Sequence, residues 1–375
     1  MKIKNGIYIF VIIGLLLGIF LDYCVRIQVQ NLFYPTLVTL FALLYSLAYD
    51  EQNSVQLIGT SFVVALLLSL PLFPIQLGQT PTHPIHFINF MIAYPLFVYV
   101  GHSFHYAFHR DQTLNMSYRS LFEAVWNTIP LLFVASIFSS LASLLLMLGA
   151  SVFKSVGNDL LWDLYFNNHH FHFITNTTLF FIGLGIGQQN NQVIYNIRIL
   201  LLKMMYYLFP VLAFISILYC VLYLVSFATG GEVPIEPLII LIPLSTLGII
   251  FFNSYFQDGD TENPAPHALK IFLRIYRVIL LILVLLTVYK IFRDFNIETN
   301  ALISLLTAIG FASSYGLTAH LSEADEKNWI QRGNIATAWF FVITLFLTNI
   351  PYLPIDFTIR SSSNQPAFNS ILTHF

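Results

Sequence analysis

Histidine is the residue whose placement most suggests chemistry in this sequence. Eleven occur, and six of them fall in two tight groups. His102, His105 and His109 recur at i, i+3 and i+7, a spacing that puts three imidazoles on one face of a helix. His169, His170 and His172 form the second group, and His83 and His86 a nearby pair in the same class of connector. Neutral imidazole binds zinc, copper or iron, and such spacing can converge ligands. His105-x-x-x-His109 fits one of the boxes used by membrane di-iron desaturases and hydroxylases, but repeated His-His boxes are missing.

Each group has a second reading. His83, His86, His169, His170 and His172, with Asp159 and Asp163 close by, are the candidate set for a divalent metal. They are equally interfacial aromatics among Trp162, Tyr165, Phe166, Phe171 and Phe173, because membrane boundaries favour amphipathic rings. The trio at 102, 105 and 109 reads as a polar seam that packs against another helix or reaches the headgroups. Lys270, Arg274 and Arg277, at i, i+4 and i+7, form a basic stripe suited to anionic lipid headgroups, at about 1 kcal/mol per residue. The segment Gln257-Asp-Gly-Asp260-Thr-Glu262-Asn-Pro264 lacks the ligand pattern of a calcium loop and reads as a capped turn. No nucleophile motif, phosphate-cradling loop or dinucleotide fingerprint is present, so no catalytic residue is assigned. Gly183-Leu-Gly185-Ile-Gly187 sits in an apolar run and predicts close helix packing.

The elements that must position these residues are hydrophobic. Eleven apolar stretches, at about 5–24, 31–49, 54–73, 86–108, 124–153, 170–187, 198–227, 234–255, 268–291, 298–320 and 335–352, occupy most of the 375 residues. A bilayer core about 30 Å thick needs roughly 20 apolar residues in a helix, the one open element that satisfies its own backbone there. Composition agrees, with 57% hydrophobic and 9% charged residues. The sequence therefore predicts an all-α, polytopic transmembrane bundle of about eleven spans, within a range of ten to twelve. Residues 1–352 would be the helical domain and 353–375 a short extracytoplasmic tail. A net charge of −2 supplies no basic field for nucleic acid, and the lipid bilayer is the one partner implied. Cys24 and Cys220 are too few for a disulfide framework and read as free thiols. The first stretch, behind Lys2 and Lys4, reads as an uncleaved signal anchor.

Orientation follows from the basic residues. With a cytoplasmic N-terminus and eleven crossings, the inner segments hold Lys2, Lys4, Arg110, Arg119, Arg198, Lys203, Lys270, Arg274, Arg277, Lys327 and Arg332, and the outer ones Arg26, Lys154, Lys290, Arg293 and Arg360. This is the asymmetry of the positive-inside rule, and it retains the polar stretch 170–187 as a crossing. It also puts the two histidine groups on opposite sides, about 30 Å apart, which excludes one shared centre. Charge within the spans is nearly absent: Asp22, Glu123 and Lys154 fall at span ends. Pro95, Pro130, Pro210 and Pro243 lie inside spans, where proline either kinks a helix beside a transport site or is an ordinary membrane-helix residue.

A resemblance adds to this. Arg119-Ser-Leu-Phe-Glu-Ala-Val-Trp126-Asn127 opens a long span that Phe153-Lys154 closes, and Phe181-Ile-Gly183-Leu-Gly185 follows an aromatic stretch. Then come Asn253-Ser-Tyr-Phe-Gln257-Asp258-Gly259 and a tail reading Asn349-Ile-Pro-Tyr-Leu-Pro-Ile-Asp356. Over about residues 118 to 365 this resembles the bacterial polytopic membrane family catalogued as domain of unknown function forty-one fifty-three. Glu123 and Thr128 stand where members often have histidine. The resemblance implies a helical protein of a bacterial inner membrane and carries no catalytic residue. The expected role is structural, sensory or assembly-support. The alternatives are a transporter or channel for a small or lipidic solute and, third, a metal-dependent membrane enzyme.

Overall fold

A computed structural model of the chain describes residues 6–49, 53–75, 84–230, 236–258 and 267–350, together with 353, 355, 357 and 359; for 84–91, 227, 323 and 324 the backbone alone is described. Among them the fold is all-α. The helices are α1 (Gly6–Arg26), α2 (Phe33–Leu47), α3 (Ser54–Ser69), α4 (Pro84–Asp111), α5 (Tyr118–Ser155), α6 (Leu160–Trp162), α7 (His169–Gln189), α8 (Asn191–Thr229), α9 (Pro237–Phe256), α10 (His267–Asp294), α11 (Thr299–Gly316) and α12 (Glu323–Asn349). The turn Asp163–Asn167 is π-helical and precedes α7.

Each predicted apolar stretch coincides with a helix. Eight helices among the described residues are long and apolar enough to cross a membrane, and the chain is an integral, multi-pass membrane protein. The other three predicted stretches coincide with α2, α4 and α7. With 15 residues, α2 rises about 22 Å, less than a hydrocarbon core of about 30 Å. The 21 residues of α7 include three histidines, Asn176, Thr177 and Thr178. At 38 and 39 residues, α5 and α8 outrun their predicted bounds. Pro95, Pro130, Pro210 and Pro243 all sit inside continuous helices and interrupt none of them.

Helix ends follow local sequence rules. Ser117, Asn168 and Ser322 adopt extended backbone and accept a hydrogen bond from the amide three residues on, capping α5, α7 and α12. Behind α5, Gly157 takes φ +86°, and the amides of Gly157 and Asn158 return to the carbonyls of Lys154 and Phe153 at 3.0 Å each. That paired return is the Schellman stop, which needs a left-handed residue. Between α4 and α5, Asp111 accepts from the Ser117 amide at 2.7 Å and from Ser120 Oγ at 2.5 Å.

The sequence reading takes 1–352 as one helical domain, and the helices cluster as two compact units: Met1–Thr80 with Val98–Ile199, and Pro81–Phe97 with Leu200–Phe375. In the first unit α1 and α7 run antiparallel in close contact. Lipid is as apolar as leucine, so helices associate there by close packing and polar contacts, and small residues enable the approach. A Cβ on Gly14 would lie 2.8 Å from Phe181 Cβ and 2.9 Å from the backbone of Thr178, and one on Gly18 would lie 3.0 Å from Ile174 Cα. On the other side of α7, a Cβ on Gly183 would meet the backbone of Ala135 in α5 at 2.8 Å. Gln188, at the last turn of α7, donates to the carbonyls of Ser46 and Leu47, at 3.1 and 2.7 Å, and so satisfies the open end of α2.

The second unit is organised around aromatic packing. Phe209, Phe252, Tyr276 and Tyr315 are buried together, with the Phe252 and Tyr315 rings 4.3 Å apart. Polar pairs fasten its helices: Ser245 with Thr287 at 2.9 Å between α9 and α10, and Asn300 with Asn349 through reciprocal amide bonds between α11 and α12. From the expected tail, Ile359 pairs with Ile297 through two 2.8 Å backbone bonds, and Phe357 donates to Thr299. Cys24 and Cys220 are buried free thiols.

The α1–α7 contact makes a direct prediction. Gly14→Ile must push the helices apart and should destabilise the protein by about 1–3 kcal/mol. Gly59→Ile, at a glycine with open space around it, should unfold like the parent. Denaturation in detergent micelles, followed by circular dichroism, compares the two.

Candidate functional site

The second histidine group stands at the start of α7, where the Asn168 cap turns the chain into the helix. From the facing end of α1, Asp22 points inward and is 6% exposed. His170 Nδ1 lies 2.5 Å from Asp22 Oδ1, and Arg26 Nη2 lies 2.8 Å from Asp22 Oδ2. The carboxylate thus holds a ring from α7 and a guanidinium from its own helix. Half of each of these two side chains remains exposed, 50% for His170 and 54% for Arg26.

His172 belongs to a different network. Asn176 Nδ2 donates to His172 Nε2 at 2.7 Å, and Asn176 Oδ1 accepts from Ser143 of α5 at 2.8 Å and from Tyr165 at 3.4 Å. The Tyr165 ring packs 4.7 Å from the imidazole. His169 is exposed. Around them Trp162 stacks on Phe166, and Lys154 caps the Trp162 ring at 3.9 Å, an aromatic girdle of the kind that membrane boundaries favour. Asp163 accepts from Asn167 at 2.7 Å, and Asp159 precedes α6. His83 lies outside the described residues, and of His86 the helical backbone alone is described. Among the described residues, no three His, Cys, Asp or Glu side chains gather as a metal-holding group. His170 and His172, two residues apart, face separate partners.

The other histidine group forms the polar seam that its spacing permits. His102 and His105 are 2% and 3% exposed. His102 Nε2 lies 3.2 Å from Thr128 Oγ1 of α5, and His105 Nε2 lies 3.2 Å from Thr60 Oγ1 of α3. Thr60 Oγ1 also meets His109 Nε2. Thr128 gives its own proton to the Ala124 carbonyl at 2.7 Å, so it accepts from His102, whose Nε2 therefore carries the hydrogen. The Nδ1 lone pair of His102 is left buried without a partner among the described residues, as is His105 Nδ1. The threonines that tie α4 to α3 and α5 are thus the same groups that set the ring orientation.

The basic stripe on α10 divides. Lys270 is exposed and Arg274 is 48% exposed, whereas Arg277 is 4% exposed. Its Nε donates to the Tyr315 carbonyl at 2.8 Å, Nη2 donates to Thr318 at 2.8 Å, and Nη1 pairs with Glu326 of α12. Phe252 lies under the guanidinium at 5.1 Å. Arg277 is a tie between three helices and is not presented to headgroups. Spacing along α10 could not reveal this, because the partners come from 38 to 49 residues away. The Asp22–His170 pair was missed for the same reason, with 148 residues between them. Its sequence signal was an acidic residue closing an apolar run, an intramembrane ionisable group whose partner must be sought.

Removing one member of a buried ion pair strands the other. Arg277→Met should destabilise the protein by about 3–5 kcal/mol, because the Tyr315 carbonyl and Thr318 lose their buried donor and Glu326 keeps only Arg274, at 3.7 Å. Lys270→Gln, at an exposed position, should cost no more than about 1 kcal/mol. Chemical denaturation of both variants in micelles checks the contrast.

No protein-family model, curated protein or solved structure matches this chain.

Proposed function

We propose that the chain is a non-catalytic helical component of a bacterial inner membrane, with a structural, sensory or assembly-support role. The observation that carries this reading is the use made of the interior polar groups. Asp22 joins α1 to α7, Asn176 joins α7 to α5, and Arg277 joins α10 to α11 and α12. Thr60 and Thr128 join the histidines of α4 to α3 and α5. Polar side chains inside a membrane protein serve either a solute path or helix association, and these contacts are of the second kind. The distribution of Lys and Arg supports eleven crossings, a cytoplasmic N-terminus and a periplasmic C-terminus. The resemblance over residues 118 to 365 supports the bacterial setting. Lys270 and Arg274, the exposed part of the α10 stripe, are the residues suited to anionic headgroups.

The rival that matters most is a carrier of small or lipidic solutes, favoured by the buried imidazoles of α4. In vesicles loaded with labelled ions, sugars, amino acids and lipid, the reconstituted protein should leave release and flip rates at the protein-free level. Saturable movement of any one of these solutes would replace the present reading with a transporter.

A second reading is metal binding at His83, His86, His169, His170 and His172. It is favoured by the way Asp22 engages His170 Nδ1 while half of the side chain stays exposed, because carboxylates orient metal-binding imidazoles in this manner. Elemental analysis of untagged protein beside a His169→Ala, His170→Ala, His172→Ala variant decides it. Near-stoichiometric zinc, copper or iron that disappears in the variant is the expected result for a site. Metal-free parent protein ends this reading.

A further inference from the structure

Between α1 and α7 runs an apolar groove of about 360 Å³. Leu15 and Ile19 line it from α1, and Phe171, Ile174, Thr175, Thr178 and Leu179 from α7, and nearly all of the lining surface is apolar. Leu15, Ile19 and Phe171 are 37% to 48% exposed, so the groove opens at the exposed surface of the two helices. The Thr178 hydroxyl in its wall donates to the Ile174 carbonyl at 2.8 Å and is turned onto its own helix. A groove with such walls suits hydrocarbon and offers little to a polar solute.

Its axis leads to charge. The helices are antiparallel, with Gly18 against Ile174 and Asp22 against His170, so the end of the groove near Ile19 and Phe171 approaches the Asp22, His170 and Arg26 cluster. Arg26 is about 10 Å beyond Ile19 along α1, at 1.5 Å per residue. Arg26 has five N–H donors in a planar fork, and one terminal nitrogen is engaged by Asp22, leaving the others on the exposed half of the side chain. That fork matches phosphate oxygens. From His170 to Leu179 the wall of α7 rises about 14 Å, a length suited to the upper part of an acyl chain.

We propose that the α1–α7 groove is a phospholipid site, with the phosphate on Arg26 and one acyl chain laid along Leu15, Ile19, Ile174 and Leu179. The occupant is a phospholipid acyl chain because the groove walls are apolar and the guanidinium fork of Arg26 stands beyond their end. A guanidinium fork at its end distinguishes the groove from other exposed apolar faces such as Leu144, Leu145 and Leu148 on α5, where the cation at the helix end, Lys154, lies over the Trp162 ring. The inference needs the chain to be a membrane protein and is independent of whether its role is structural, sensory or transport.

The test is photolabelling in vesicles that contain the full-length protein and phosphatidylglycerol with a photoreactive group in one acyl chain. The adducts are then mapped by peptide mass spectrometry. Labelling of the Leu15–Ile19 and Phe171–Leu179 segments should exceed that of Leu144–Leu148 about five-fold, and Arg26→Gln should remove most of that excess. Diacylglycerol with the same photoreactive chain but no phosphate should label the groove no more than α5. Ile19→Trp, which fills the groove and leaves the ion pair in place, must also abolish the excess, so the inference stays testable if Arg26→Gln does not fold. Uniform labelling of all exposed apolar segments would overturn the site. So would excess labelling that survives Arg26→Gln, or equal labelling by diacylglycerol. Excess labelling that survives in a metal-depleted sample supports the lipid site; its loss on metal removal would overturn direct recognition by Arg26.

Discussion

Within hydrocarbon there is no water to take up a stray hydrogen bond, and every feature of this fold answers to that condition. Each backbone donor and acceptor must find its partner in the chain, which makes helices obligatory and leaves only their ends to be solved separately. The ends are solved locally where sequence allows, by Ser117, Asn168 and Ser322 at N-termini and by the Gly157 turn behind α5. Where local sequence offers nothing, a side chain from elsewhere serves, as Gln188 does for the carbonyls that close α2. The same condition governs charge. Arg277 is tolerable in the interior because a carbonyl, a hydroxyl and a carboxylate surround its guanidinium.

Packing is the second consequence. Burial from water cannot drive one membrane helix against another, so close fit and polar contacts carry association. The first unit uses small residues, with Gly14, Gly18 and Gly183 letting α7 lie against both α1 and α5. The second unit uses interlocked aromatic rings around Phe252 and Tyr276, together with paired polar groups. Prolines inside the long helices break none of them.

Histidine has three different uses in one chain. In α4 it bridges helices through threonine hydroxyls whose own protons are engaged by backbone. At the start of α7, His170 meets a carboxylate and His172 an amide, so adjacent members of one sequence cluster face unlike partners. A run of imidazoles in sequence is therefore a set of separate contacts, and its chemistry is decided ring by ring.

What the sequence determined by itself is whatever depends on neighbours along the chain. Apolar runs of span length specified helices, since backbone satisfaction in lipid admits no other open element, and all eleven runs coincide with helices. Gly183-Leu-Gly185-Ile-Gly187 was legible as a packing face because the absence of a side chain is a local property. Pairings across the fold were not legible. Arg277 shares its spacing with Lys270 and Arg274, yet Tyr315, Thr318 and Glu326 turn it into an interior tie. By sequence position Asp22 is a charge at a span end, and the approach of His170 from α7 makes it a helix-to-helix contact. The division into two units was also a tertiary decision, because it depends on which helix faces meet and not on where the apolar runs begin and end. Hydropathy is read one segment at a time, whereas the partner of a buried polar group is chosen by the approach of helices far apart in the chain.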